Sequence, residues 1–349
     1  ALSQNIRYYV RDSILNGGLQ NIAVKIKGDL QNLPFANPKD GEFKLAGKVK
    51  DVQYAYVPPA PSGNAHRNTR SESVWPAMSN VNGDIVFDRQ AFKVNGASGK
   101  WGSIPFTQIK AEIPRLGSNA VVNIQGESKT TAKQLLSDLL QSPVNNMIGG
   151  VLSQATVTGA LSTRLKLSLP LASLEKTTVQ GAVTFSGNDI RILPSLPTFE
   201  KTQGSINFTE GGFTLANVNA QFLGGPIKLD GGTRKLPAKS TEANPLIRMQ
   251  GQVTAAGMRQ ALEIPVLNLL APHATGATTY TASLGIKGGQ SELSVQSQLQ
   301  GLALNLPSPL NKRAEEMVAV KFETVIQSLS AAQPNKAQRD LLQFTWGSA

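Results

Sequence analysis

The sequence contains no cysteine. That excludes disulfide staples, thiolate nucleophiles and cysteine-ligated zinc, and it fits an oxidising compartment such as a bacterial periplasm. Histidine is nearly absent too: His66 stands in a Pro/Gly/Ser stretch and His273 in a repeated phrase whose first copy has Gln154, so neither reads as a metal ligand. No long apolar run occurs. The longest charge-free windows, Leu139–Thr163 and Ile264–Ile286, are broken by Pro, Asn, Gln, Gly and Thr and do not read as membrane spans. The front of the chain lacks a charged-apolar-small leader pattern, and the expectation is a processed form or an excised fragment. A basic run interleaved with aromatics is also missing. The net charge is +11, but Lys25, Lys27, Lys44, Lys48, Lys50, Arg164 and Lys166 are scattered on alternate positions, which reads as a solvated basic face and argues against nucleic acid as a partner.

What is present is the punctuation of a β protein. Thirty-two glycines and twenty prolines accompany only 6% aromatics in 349 residues. Period two dominates: RLKLSLPL at 164–171 puts Leu165, Leu167 and Leu169 on one side and Arg164, Lys166 and Ser168 on the other. The same alternation recurs at Ile85–Phe87, Phe92–Val94, Val179–Phe185, Ser205–Phe208, Phe213–Leu215, Tyr280–Ile286 and Leu293–Leu299. Asn82-Gly83, Asn95-Gly96, Gly187-Asn188, Gly211-Gly212, Gly231-Gly232 and Gly288-Gly289 read as turns between these segments. The template gives about fifteen strands, mostly antiparallel hairpin partners. Helical spacing appears at Thr130–Gln141 and at Ala255–Leu262, continuing into Val266–Leu270.

The chain repeats itself. Gly83, Phe92 and Pro105 recur as Gly204, Phe213 and Pro226, each 121 positions on, and Pro143-Val144 recurs as Pro265-Val266. Leu45-Ala46-Gly47 against Val179-Gln180-Gly181 is offset further, which fits an insertion at Pro58–Ser73 in the first copy. The reading is a tandem array of units of about 120 residues, each several strands and a short helix. The repeats run approximately over 20–160 and 161–287, with a partial third at 288–349. The expected fold is mainly β with a few short helices: one continuous elongated, curled antiparallel sheet over 1–349, shaped as a taco-like repeating β-groove. Pattern alone does not separate such a trough from a sealed sandwich; an inward set rich in Leu, Ile, Val and Phe but poor in large aromatics favours the trough.

The stretches WPAMSNVNGDIVFDRQAFKVNGASGKWGSIPF (75–106), NDIRILPSLPTFEKTQGSINFTEGGFTLANVNAQFLGGPIKLDGG (188–232) and LQGLALNLPSPLNKRAEE (299–316) resemble the YhdP family of AsmA-like, TamB-related envelope proteins. The resemblance implies a β-groove that carries phospholipid acyl chains across the periplasm. It also implies an inner-membrane anchor in a segment absent from this chain, and inner- and outer-membrane proteins or surfaces as partners at the ends of the full-length protein. The groove-lining candidates are Ile85, Phe87, Phe92, Val94, Leu165, Leu167, Leu169, Val183, Phe185, Ile206, Phe208, Phe213, Leu215, Tyr280, Leu284 and Ile286. The phrase PVLNLLAPHAT (265–275) is expected to cover the groove or to pack a helix on the sheet.

No catalytic constellation emerges, and no metal or cofactor is expected. Gly96-Ala-Ser-Gly99-Lys100-Trp101 lacks the spacing of a phosphate loop, and Ser98 fails the nucleophile elbow because Lys100 replaces its second glycine. Asp84 with Asp88, and Glu315-Glu316, carry no mark of an acid and base pair. Beside the lipid conduit stand two alternatives: a structural or adhesive periplasmic β protein with a sealed core, and a hydrolase of envelope polysaccharide.

Overall fold

The computed structural model describes residues 4–58, 75–117, 119–148, 150–234, 244–287, 290–326 and 341–347. Most of the expected insertion, His66 and Gly288-Gly289 lie outside the described residues. As expected, the chain is mainly β, and the described residues form 18 strands that pair antiparallel, with a few short helices. It divides into two compact units, Ala1–Met147 with Ser162–Ala182, and Ile148–Leu161 with Val183–Ala349.

In the first unit α1 (Gln4–Ser13) leads into β1 (Ile14–Gly28), β2 (Gly41–Tyr54), β3 (Met78–Asp88), β4 (Ala91–Trp101), β5 (Ile104–Ile113) and β6 (Val121–Thr131), each strand pairing with the next in a single layer. Helices α2 (Ala132–Leu140) and α3 (Pro143–Met147) follow; β7 (Thr156–Val157) belongs to the second unit, most of β8 (Ala160–Pro170) to the first, and β9 (Thr178–Arg191) is divided between them after Ala182. The second unit continues with β10 (Phe199–Thr209), β11 (Gly212–Phe222), β12 (Gly225–Arg234) and β13 (Asn244–Thr254), helices α4 (Ala255–Gln260) and α5 (Pro265–Leu270), and β14 (Ala274–Lys287) and β15 (Gln290–Ser297). It ends with β16 (Leu302–Leu304), β17 (Val320–Ile326) and β18 (Leu341–Trp346).

A line of β-bulges crosses the first unit. Asn21, Asp51, Asn80, Gly96 and Gln108, one in each of β1 to β5, have φ between 50° and 58°, and the pairing register slips beside each of them. An extra residue in one strand bends that strand and reverses which parity of residue faces inward. In β4 the inward positions are Phe92 and Val94 before the bulge, then Ala97, Gly99 and Trp101 after it; in β5, Ile104 and Phe106, then Ile109, Ala111 and Ile113. Side chains hold the bulges. Asp51 N–H donates to Asn82 Oδ1 at 3.1 Å, and Asn82 Nδ2 donates to Asn80 O at 2.8 Å. The second unit repeats the device at Asn217-Val218-Asn219, where Asn219 Nδ2 donates to Asn217 O at 3.0 Å.

Asn82-Gly83, Asn95-Gly96, Gly187-Asn188 and Gly231-Gly232 are therefore not turns, contrary to the sequence reading. They lie inside β3, β4, β9 and β12. A mid-strand bulge and a hairpin turn both need residues that tolerate positive φ, so the same dipeptides serve both.

The two helical phrases share one construction. Thr131 Oγ1 accepts from Gln134 N at 3.2 Å to open α2, Thr254 Oγ1 accepts from Gly257 N at 2.9 Å to open α4, and prolines 143 and 265 start the second helix of each pair. The expected continuous helix from Ala255 is two helices, because Ala261 and Ile264 leave helical backbone. Helix α1 was not foreseen. Its Tyr9 hydroxyl bonds the Tyr54 hydroxyl at 2.7 Å and donates to Tyr56 O at 3.1 Å, while Trp101 Nε1 donates to the Tyr56 hydroxyl.

Candidate functional site

The inward face of the first unit is a set of cross-strand apolar rows. Val24 pairs with Leu45, Leu45 with Phe87, Phe87 with Phe92 and Phe92 with Ile113, and the next row runs Gly47, Ile85, Val94, Ala111 and Ile124. The Phe87 and Phe92 rings lie 4.5 Å apart. Leu169 is buried with Ile113 and Val122, and Phe92, Ile124 and Leu167 pack half-buried against that cluster. Thus Ile85, Phe87, Phe92 and Val94 share one face, and Phe92 and Leu167 pack against the cluster that contains Leu169. Leu165 takes the next inward position of β8.

The second unit builds the same surface. Ile206 pairs with Leu215, Leu215 with Gly231, Gly231 with Ile247 and Ile247 with Leu284, so three candidates stand in one row; Phe208 and Phe213 pair beside it. Val183 and Phe185 alternate on β9. A further row runs Val218, Leu229, Met249, Ala282 and Val295. Tyr280 is buried with Ala220, Ile227 and Ala282. The backbone of Ile286 pairs with Ser291.

These faces are only partly covered. Phe87, Phe92, Val94, Phe185, Phe208, Phe213 and Leu215 are half-buried, where a second sheet would bury them fully. On β1, Ile22 and Val24 are each 54% exposed. Partly open apolar surface of this kind is a candidate binding face. Helical cover is local: Ala255 and Met258 of α4, Leu267 and Leu270 of α5, and Ala271 pack on Ala274, Leu302 and Leu304. The phrase PVLNLLAPHAT therefore packs helix on sheet, while its Val266 and Leu269, with Leu262, project outward. Behind β16, Lys312 is buried and donates Nζ hydrogen bonds to Leu302 O at 2.9 Å and Arg313 O at 2.8 Å; burial lowers its pKa.

Sequence reasoning missed Val218, Ala220, Ile227 and Ala282, which are buried on the inward face. Val218 and Ala220 stand out of phase with Phe213 and Leu215 across the bulge of β11, whereas Ile227 and Ala282 keep the phase of their own strands, Ala282 between Tyr280 and Leu284.

The outward face is polar and laddered with ion pairs: Lys25–Glu42 at 2.8 Å, Lys93–Glu112 at 3.1 Å and Arg164–Glu127 at 3.3 Å. Asp84 pairs with Lys48 and Asp88 with Arg89, on exposed strand positions. Exposed pairs of this kind add little stability; they keep the outer face wet. Among the described residues no three His, Asp or Glu side chains converge as a metal site, and no helix is long and apolar enough to cross a membrane.

The family model for the YhdP protein matches residues 1–345. The intermembrane phospholipid transporter YhdP of Escherichia coli (strain K12) is 22% identical over 321 residues, which is 90% of this chain and 23% of that protein. The chain thus spans about a quarter of the length of this curated relative. No solved structure matches it. The match runs over nearly the whole chain, and the chain belongs to the YhdP family.

Proposed function

We propose that the inward faces of both units carry phospholipid acyl chains between the membranes of a Gram-negative envelope, without chemical conversion of the cargo. The observation that carries this reading is the half-open apolar row, Ile206–Leu215–Gly231–Ile247–Leu284, bordered by wet, ion-paired outer positions. An acyl chain leaving a bilayer exposes methylenes at about 0.8 kcal/mol each, so an apolar floor removes a barrier on the order of ten kcal/mol per chain. Headgroups stay in water at the open side, where the basic balance favours anionic lipids. The name of the Escherichia coli relative supports phospholipid as cargo. The chain works in the periplasm as part of a longer protein anchored in the inner membrane, with membrane surfaces or membrane proteins as partners at its ends.

The test is native mass spectrometry and lipid extraction of the purified chain. Phospholipid in stoichiometric amount is the expected result. A chain that emerges lipid-free from lipid-rich membranes and takes up none from vesicles contradicts the reading.

A further inference from the structure

Tyr280 is an inward residue of β14, 8% exposed, and its hydroxyl has no hydrogen-bond partner among the described residues. Ala220, Ile227 and Ala282 are buried in one cluster with it, and Phe222, Met249 and Val253 pack against that cluster. The backbone partners across the two adjacent strands offer nothing. Gly251 has no side chain, and Ser297 Oγ is committed, donating to Thr279 O at 2.7 Å and accepting from Leu299 N at 3.0 Å. Burial pushes the phenol pKa well up, so the group stays protonated and remains a donor. A buried donor left unmade is costly, and native structures nearly always satisfy one. A fully apolar cargo would favour Phe at this position.

We propose that Tyr280 donates its hydrogen bond to an ester carbonyl of a bound diacyl lipid, so that this position marks where the glycerol ester region of the cargo rests while its tail lies on Leu229, Met249 and Val295. The inference rests on the acyl-conduit reading and adds a polar contact to it. The ester carbonyl fits the chemistry: it is a strong acceptor at the boundary between tail and headgroup, and it carries no charge to desolvate. A phosphate at this depth would have to give up its water among the buried side chains of Ala220, Ile227 and Ala282.

The experiment loads the delipidated 349-residue chain from vesicles of dioleoyl phosphatidylglycerol or of its dialkyl ether analogue, which lacks the carbonyls, and counts bound lipid by mass spectrometry. The wild type is expected to retain the diacyl lipid about fivefold better than the ether lipid, as one hydrogen bond allows. Tyr280→Phe should reduce that ratio toward one and leave the melting temperature of the lipid-free chain unchanged or higher. Equal retention of both lipids by the wild type, a ratio that survives Tyr280→Phe, or a lipid-free variant that melts lower overturns the assignment to Tyr280 and leaves the conduit standing. Retention of neither lipid by the wild type removes the conduit itself.

Discussion

Strands β1–β5 and strands β12–β15 use the same alternation to build an apolar face, yet they differ in regularity. The first set carries a left-handed residue and a register slip in every strand; the second pairs without any slip. Where the bulges stand, inward parity reverses within a strand, so a face continuous in space is discontinuous in sequence. Where they are absent, each strand crossing a row such as Leu229–Met249–Ala282–Val295 keeps its own inward parity. The bulge thus bends a strand without interrupting its apolar floor, because the slip in register and the reversal of parity compensate each other.

The contrast can be broken deliberately. Gly204 has φ 113°, and a Cβ there would collide with the Asn217 carbonyl; Gly96, with φ 58°, faces open space. Gly204→Val should cost about 3 kcal/mol or more, and Gly96→Asn less than about 1 kcal/mol, in urea unfolding. Equal costs would mean that the crease is not set by backbone conformation. Asn217→Val puts a β-branched residue at φ 52° and should cost about 1–2 kcal/mol, whereas Gln250→Val, at an exposed regular position of β13, should be nearly neutral by the same measurement.

Alkaline pH separates the two units next. Burial raises the Tyr9 and Tyr54 pKa values and takes Tyr56 to about 12. Folded pKa values above the unfolded one give stability that is complete below about pH 10 and is lost as pH rises toward the folded values. The first unit carries these three tyrosines against the second unit's Tyr280, whose pKa burial also raises, so in a Trp346→Phe variant the fluorescence of Trp75 and Trp101 should report the first unit's opening before far-ultraviolet circular dichroism reports complete loss of the strands. The smallest effect belongs to Asn82→Ala, which removes the bonds to Asp51 N and Asn80 O and should cost about 1 kcal/mol or less in thermal unfolding.

Much of the architecture was legible. Alternation marked Ile85–Phe87, Phe92–Val94, Ser205–Phe208 and Phe213–Leu215 as strand, and each falls within one of β3, β4, β10 and β11; helical spacing marked Thr130–Gln141, where α2 lies. The bulges were illegible as bulges, since Asn-Gly in mid-strand and Asn-Gly in a hairpin look alike until the partner strand is known. Helix α1 escaped because it is a short polar segment, QNIRYYVRDS, whose contacts are remote in sequence: Tyr9 is held by Tyr54 and Tyr56, 45 and 47 positions away. Lys312 escaped for a similar reason: a lysine in a polar stretch gives no sign that two carbonyls will bury it.

The most direct measurement places a photo-crosslinking residue at Phe208 or Leu167, on the inward faces, and at Asn207 or Lys166, their outward neighbours on the same strands. Irradiation in cells should join phospholipid to positions 208 and 167 and leave 207 and 166 unlabelled. Equal lipid capture from neighbouring positions, or none from either, would contradict an acyl-carrying inner face.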